Sequence, residues 1–256
     1  MYETINLTVE EGIATVTLNR PPVNPLNSKM FAELGQVAAE LEADPAVRVV
    51  IITGSGDKAF VAGADINEMK DLDPVSMYRF CQVSGSAFRA LENISKPTIA
   101  AINGLAFGGG CELTLTCDFR IAADTAKFAL PEINLGIIPG GGGTQRLPRL
   151  LGAAKAKEML MLGDIIDADA ACQCGLVNKV VPLSGLMDEA KALAKKLKVK
   201  SSLALSIIKN SVNQGLNMNL GEALDFETKN FILVFTGDDR REGFGAFVEK
   251  RRPNFK

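Results

Sequence analysis

Residues 96–151 read KPTIAAINGLAFGGGCELTLTCDFRIAADTAKFALPEINLGIIPGGGGTQRLPRLL, and the fold turns on this stretch. Short apolar runs alternate with two glycine clusters, Gly108-Gly109-Gly110 and Gly140 to Gly143. Glu112 follows the first cluster and Glu132 precedes the second. A strand that ends in a glycine-rich turn and enters a helix leaves backbone N–H groups without intrahelical acceptors. Such donors can hold a phosphate, or a carbonyl oxygen that gains negative charge during a reaction. Two carboxylates beside them point to acid–base chemistry at a carbonyl. Each part also has a plainer reading. The triplet can be close packing of a helix on a strand, Glu112 a solvated first-turn glutamate favoured by the helix dipole, and Glu132 part of a surface turn.

On the N-terminal side, Ile5 to Val9 and Ile13 to Leu18 alternate around Glu11-Gly12, the pattern of a hairpin. Pro21, Pro22, Asn24 and Pro25 interrupt the chain, and Ser28 is a candidate cap for a helix from Lys29 to about Ala43. Phe31, Leu34, Val37, Ala38 and Leu41 form its apolar stripe. Val47 to Thr53, Pro97 to Ile102, Phe119 to Ala122 and Leu176 to Val181 read as further strands, the first apolar enough to be buried on both faces. A helix is expected from Asp73-Pro74 to about Ile94, and another after the loop Gly104 to Gly110 through Thr116. Repeated strand–helix units of this kind predict an α/β core with mostly parallel strands. After Pro182 four segments are helical in period: Leu186 to Leu197, Leu203 to Gly215, Gly221 to Phe235 and Arg240 to Glu249.

Composition narrows the chemistry. The chain of 256 residues has a net charge of −2, which gives no reason to expect nucleic acid or an anionic membrane as partner. It contains no histidine, which removes Ser-His and Cys-His nucleophile arrangements and leaves acid–base work to Glu, Asp, Lys, Tyr or Cys. Five cysteines form no C-x-x-C, and Cys172-Gln-Cys174 has no histidine to complete a zinc site, so no metal is expected. The N-terminal pattern is neither a signal nor a transit peptide, and no apolar run reaches the ~20 residues of a membrane span. A cytoplasmic location is expected. The segment GLAFGGG lacks the Lys-Ser/Thr ending of a P-loop and the G-x-G-x-x-G spacing of a dinucleotide fold.

Three blocks carry a family resemblance: AFVAGADINEM (59–69), IAAINGLAFGGGCELTLTCDF (99–119) and PEINLGIIPGGGGTQRLPRLLG (131–152). Together with the AFVEKRRPNF ending, they make the chain resemble the enoyl-CoA hydratase/isomerase (crotonase) superfamily, and within it the enoyl-CoA hydratases. The resemblance implies a spiral of β-β-α units over 1–182 and a helical region over 183–256 that builds a trimer or a hexamer, a dimer of trimers. It implies an oxyanion hole from the N–H groups of Ala64 and Gly109. Glu112 would activate water, and Glu132 would exchange a proton with the α-carbon. Ala62, Ala64, Asp65, Ile66, Asn67 and Gly109 would line the CoA thioester site, although Asp65 alone reads as a helix cap. Lys29, Lys250, Arg251 and Arg252 are candidates for the CoA phosphates or, equally, solubilising charges. Met69, Leu72, Met77, Tyr78 and Phe80 could wall the acyl tail, with core packing the simpler reading.

The implied reaction is reversible hydration of a trans-2-enoyl-CoA in fatty-acid metabolism, with coenzyme A as part of the substrate and no separate cofactor. Both glutamates favour it over the alternatives on this fold, a 3,2-enoyl-CoA isomerase or another acyl-CoA lyase. A non-catalytic member that binds CoA or RNA is a third reading, disfavoured by the two glutamates and the acidic net charge.

Overall fold

Glu11 and Gly12 both take positive φ (50° and 79°), the tight turn whose twist suits a hairpin. It joins strands β1 (Ile5–Glu10) and β2 (Ile13–Leu18), which pair antiparallel. The computed structural model describes residues 2–255; Met1 and Lys256, the outer ends of the two expected regions, lie outside the described residues. Helix α1 (Ser28–Ala43) buries the expected stripe, but its cap is Asn27 rather than Ser28. Asn27 Oδ1 accepts the N–H of Met30 at 2.9 Å, so Ser28 is already inside the helix.

The next elements are β3 (Val49–Gly54), β4 (Ala59–Ala62), α2 (Ile66–Met69) and α3 (Pro74–Asn93), then β5 (Thr98–Ile102), β6 (Leu105–Phe107) and α4 (Gly109–Leu115). After them come β7 (Phe119–Ala123), β8 (Lys127–Ala129), a 3-10 turn over Pro131–Leu135, α5 (Gly143–Leu151) and α6 (Ala153–Leu162). Strand β9 (Ile166–Asp167), α7 (Ala168–Gln173) and β10 (Lys179–Val181) complete the sheets.

From β3 to β8 successive strands alternate between two sheets. The six-stranded sheet runs β1-β2-β3-β5-β7-β10 and the four-stranded one β4-β6-β8-β9. Each pair β3/β4, β5/β6 and β7/β8 therefore gives its first strand to the large sheet and its second to the small one, before a helical segment returns the chain. This is the β-β-α spiral. All pairings are parallel except β1 with β2 and β8 with β9. Every residue of β3 is buried, as its continuous apolar run requires. Asn103 holds the place where the chain leaves one sheet for the other. Its side chain donates to the carbonyls of Gly54 (3.1 Å) and Gly56 (2.7 Å) and accepts the N–H of Gly54 (3.1 Å).

Four helices follow: α8 (Leu186–Lys198), α9 (Ser202–Gly215), α10 (Leu220–Phe235) and α11 (Asp238–Val248). Helix α8 inserts Leu186, Ala190 and Ala194 into the same core as the large sheet. By contrast, no residue of α9 or α10 is fully buried. Lys209 fastens α9 to the core, its Nζ lying 3.0 Å from Asp118 Oδ2 and 3.2 Å from the carbonyl of Lys96.

Two further expectations need correction: Gly104 to Gly110 is not a loop throughout, because Leu105–Phe107 is strand β6, and the strand expected over Leu176 to Val181 is confined to Lys179–Val181. Strands of two or three residues such as β6, β8 and β9 are shorter than the window in which alternation becomes visible.

Helix α4 touches β4 at Gly110, where an added Cβ would overlap the carbonyl oxygen of Val61. Backbone on both sides leaves little room to yield. We expect Gly110→Ala to cost about 3 kcal/mol and to lower Tm by roughly 6–12 °C in thermal denaturation. Gly185→Ala, where a Cβ meets nothing within 4 Å, should leave Tm unchanged.

Candidate active site

The site forms where the end of β4 meets the start of α4. An isolated bridge joins Leu26 to the Gly63–Asp65 segment: Leu26 N–H donates to Gly63 O at 2.9 Å, and Asp65 N–H to Leu26 O at 2.7 Å. That pattern leaves the N–H of Ala64 outside the bridge. Gly109 is the first residue of α4, so its N–H has no intrahelical acceptor either. A Cβ built on Gly109 would stand 3.7 Å from Ala64 N and 4.0 Å from Glu112 Oε2. Two available amides and a carboxylate thus surround one small space.

The three glycines before Glu112 have three separate reasons. Gly108 sits at φ 49°, ψ −121°, a backbone that side-chain-bearing residues avoid, and a Cβ there would stand 2.9 Å from Glu132 Oε1. Gly109 keeps the space between Ala64 and Glu112 open. Gly110 is the close-packing position described above. The close-packing reading therefore holds at Gly110, while Gly108 and Gly109 border the two glutamates.

Glu112 is buried at 3% exposure. Its Oε1 accepts the N–H of Gly141 (2.8 Å) and of Gly143 (2.7 Å), the latter being the first residue of α5. Burial pushes its pKa up; the N–H groups of Gly143 and Gly141 and the charge of Arg146 pull the other way. The plainer reading of a solvated first-turn residue fails here. Glu132, in the 3-10 turn, has among the described residues no polar partner for Oε2, which is shielded from solvent. Burial, and to a lesser degree the negative charge of Glu112, push its pKa up to about 7. An unpartnered buried carboxylate oxygen costs free energy unless it carries a proton or meets a ligand. Burial thus favours the protonated form at both carboxyls, and two amide donors oppose it at Glu112.

Ala62, Ala64, Asp65, Ile66 and Asn67 follow one another along a rim from the end of β4 into α2, adjoining Gly109. Asp65 does cap α2, accepting the N–H of Asn67 at 3.1 Å. It also meets Arg20 Nη2 at 2.7 Å, and that guanidinium holds its carboxyl below the usual range. Lys29 is engaged by Glu3 at 2.9 Å, and Arg251 by Glu242 and Glu249, each at 2.6 Å. Of the proposed acyl wall, Phe80 is buried, Met69, Leu72 and Met77 pack against the core, and Tyr78 is 65% exposed.

Sequence reasoning did not foresee Arg146, whose Nη1 donates to Gly141 O at 2.8 Å, nor Glu92, which pairs with that guanidinium. Neither lies in a spacing that signals a site; only their meeting across α3 and α5 does.

The sequence matches the Enoyl-CoA hydratase/isomerase family over residues 8–256. It is 47% identical to a crotonyl-CoA hydratase of Syntrophomonas wolfei, over 99% of this chain and 98% of that protein. A short-chain-enoyl-CoA hydratase of Clostridium acetobutylicum is 45% identical over 95% of this chain and 94% of its own length. In three dimensions the fold matches the crystal structure of an enoyl-CoA hydratase from Bacillus anthracis, with TM-score 0.95, 38% identity and 99% of both chains covered.

The raised pKa of Glu132 predicts a stability effect with a definite sign. Its protonated form is favoured in the folded protein, so stability is fullest below the ordinary glutamate range and is lost as pH rises through about 7. Glu132→Gln removes that loss. Its Tm should equal the parent's at pH 5 and exceed it by about 2–4 °C at pH 8, read by calorimetry.

Proposed function

The chain belongs to the enoyl-CoA hydratase/isomerase family, and on that premise we propose that it hydrates short trans-2-enoyl-CoA thioesters reversibly to 3-hydroxyacyl-CoA. The observation that carries this is that the amides of Ala64 and Gly109 and the shielded carboxyls of Glu112 and Glu132 border the same glycine turn. The names of the two bacterial relatives support a short acyl group.

In the proposed reaction the thioester oxygen accepts hydrogen bonds from the N–H groups of Ala64 and Gly109. Such donors stabilise the negative charge that appears there as the enolate forms, by about 3 kcal/mol each. Glu112, ionised and fixed by Gly141 and Gly143, takes a proton from water as its oxygen bonds to C3. Glu132, protonated, delivers its proton to C2 as the enolate collapses to the thioester. Dehydration uses the same groups in reversed protonation states. Nothing is oxidised or reduced overall, and the two amides take the developing charge, so the proposal invokes neither a redox cofactor nor a metal. The rim from Ala62 to Asn67 would receive the pantetheine arm through backbone contacts.

The remaining expectations belong to the same proposal. Residues 1–182 carry the chemistry, and 183–256 serve packing and assembly into a trimer or a dimer of trimers. The support is apolar surface: Leu220, Phe231, Phe247 and Val248 are 62–84% exposed on α10 and α11. Exposed apolar surface of this extent marks an interaction face. Among the described residues no helix is long and apolar enough to cross a membrane. A cytoplasmic location fits five cysteines that remain free thiols, and an acyl-CoA substrate rather than nucleic acid fits the acidic charge.

Crotonyl-CoA hydration, followed as loss of the conjugated enoyl-thioester absorbance, tests the reading. Turnover should fall by about 10²–10⁴-fold in both Glu112→Ala and Glu132→Ala. In the parent protein kcat/KM for hydration should decline as pH rises through about 7, where Glu132 loses its proton. Absence of turnover in a folded protein that binds CoA, or retained 3-enoyl-CoA isomerisation by Glu112→Ala, would overturn it. Sedimentation at micromolar concentration should show a trimer or larger; a stable monomer would overturn the role given to residues 183–256.

A further inference from the structure

Glu92 and Arg146 meet outside the carboxylate pair. Glu92 lies in the last turn of α3 and Arg146 in the first turn of α5. The contact is forked: Arg146 Nε donates to Glu92 Oε1 at 2.8 Å and Nη2 to Oε2 at 2.7 Å. The third arm, Nη1, donates to the carbonyl of Gly141 at 2.8 Å. Gly141 is the same residue whose N–H reaches Glu112 Oε1 at 2.8 Å. It is gripped from both sides, by a guanidinium at its carbonyl and by a carboxylate at its amide.

The surrounding loop is shaped to this contact. Gly142 takes φ 110°, and a Cβ on it would overlap Arg146 Nη1. A Cβ on Gly141 would stand 2.6 Å from Glu112 Oε2 and 2.7 Å from Phe88 Cε2. The glycines thus fold around the guanidinium on one side and the glutamate on the other. The ion pair itself is only partly shielded, at 18% and 29% side-chain exposure, and borders a cavity of about 900 Å³ between α3, α5 and α9. Its geometry is matched to orientation, because a planar fork fixes direction where an ammonium does not.

We propose that Arg146, aligned by Glu92, is a positioning residue that holds the Gly140–Gly143 loop and through it sets the orientation in which Glu112 takes a proton from water. The inference rests on the hydratase reading and deepens it. Small displacements of a catalytic group cost rate steeply, so the effect belongs in kcat. Arg146 also places a positive charge near Glu112, which the neighbouring Glu132 and the buried Cys111 thiol do not supply.

The test uses the full-length protein and crotonyl-CoA, with Arg146→Gln, Arg146→Lys and Glu92→Gln beside the parent. Expected are a fall in kcat of about 10- to 100-fold in Arg146→Gln, with KM changed less than about threefold. Arg146→Lys keeps the charge but loses the fork. It should retain the parent's acid limb in the pH–rate profile while kcat stays low; in Arg146→Gln that limb moves to higher pH, because Glu112 loses a cation. Glu92→Gln should lower kcat less, and the double variant should be no worse than Arg146→Gln alone. Parent-like kcat in folded Arg146→Gln, or a loss confined to KM, overturns the inference. Should Arg146→Gln fail to fold, Glu92→Gln decides alone: unchanged kcat overturns the proposal. Inactivity of the parent itself would sink the hydratase reading instead. The positioning contact would then be read by non-additivity of Tm between Arg146→Gln and Glu112→Gln, with additive values counting against it.

Discussion

The approach of α4 to β4 is the constraint from which the site follows. Because position 110 has no side chain, the helix start lies directly on Val61, and this closeness brings Gly109 beside Ala64. A methyl group between them would part the two amides that face the common space. The asparagine at 103 works toward the same end from the other side, satisfying the backbone groups of Gly54 and Gly56 where the chain passes between sheets. A buried side chain with such a set of partners tolerates little displacement. Fold and site are therefore one problem in this molecule: the spiral brings strand ends together, and the glycines decide how near they come.

Within that frame the two carboxyls are treated differently. Glu112 receives amide hydrogen bonds from Gly141 and Gly143, which favour its charged form against the cost of burial. Glu132 has one oxygen with no polar partner and lies in the field of its neighbour, so its proton is retained into the neutral range. The difference arises from backbone direction rather than from residue type. Two chemically identical side chains thus meet different surroundings, and Arg146 of α5, paired with Glu92 of α3, donates to the same glycine loop.

Much of this was legible in the linear chain. The buried strand β3, the apolar stripe of α1, the four terminal helices and the pairing of Glu112 and Glu132 with glycine clusters all follow from period and composition. The cap of α1 was misplaced by one residue, because Asn27 and Ser28 are both good caps and only the geometry chooses between them. Strands β6, β8 and β9 were invisible, since two or three residues carry no measurable alternation. Arg146 and Glu92 were invisible for another reason. They are 54 positions apart, and nothing in either neighbourhood distinguishes their pairing from ordinary surface charge.

The proton on Glu132 has an effect before any chemistry starts. A pocket with two ionised carboxylates would repel an incoming thioester that bears several phosphate charges. A proton on Glu132 removes one of those charges, and like-charge repulsion against the arriving molecule is correspondingly smaller. The chain as a whole is slightly acidic and gains little from long-range attraction. The shielding that keeps a proton on Glu132 thus also eases the approach of an anionic ligand.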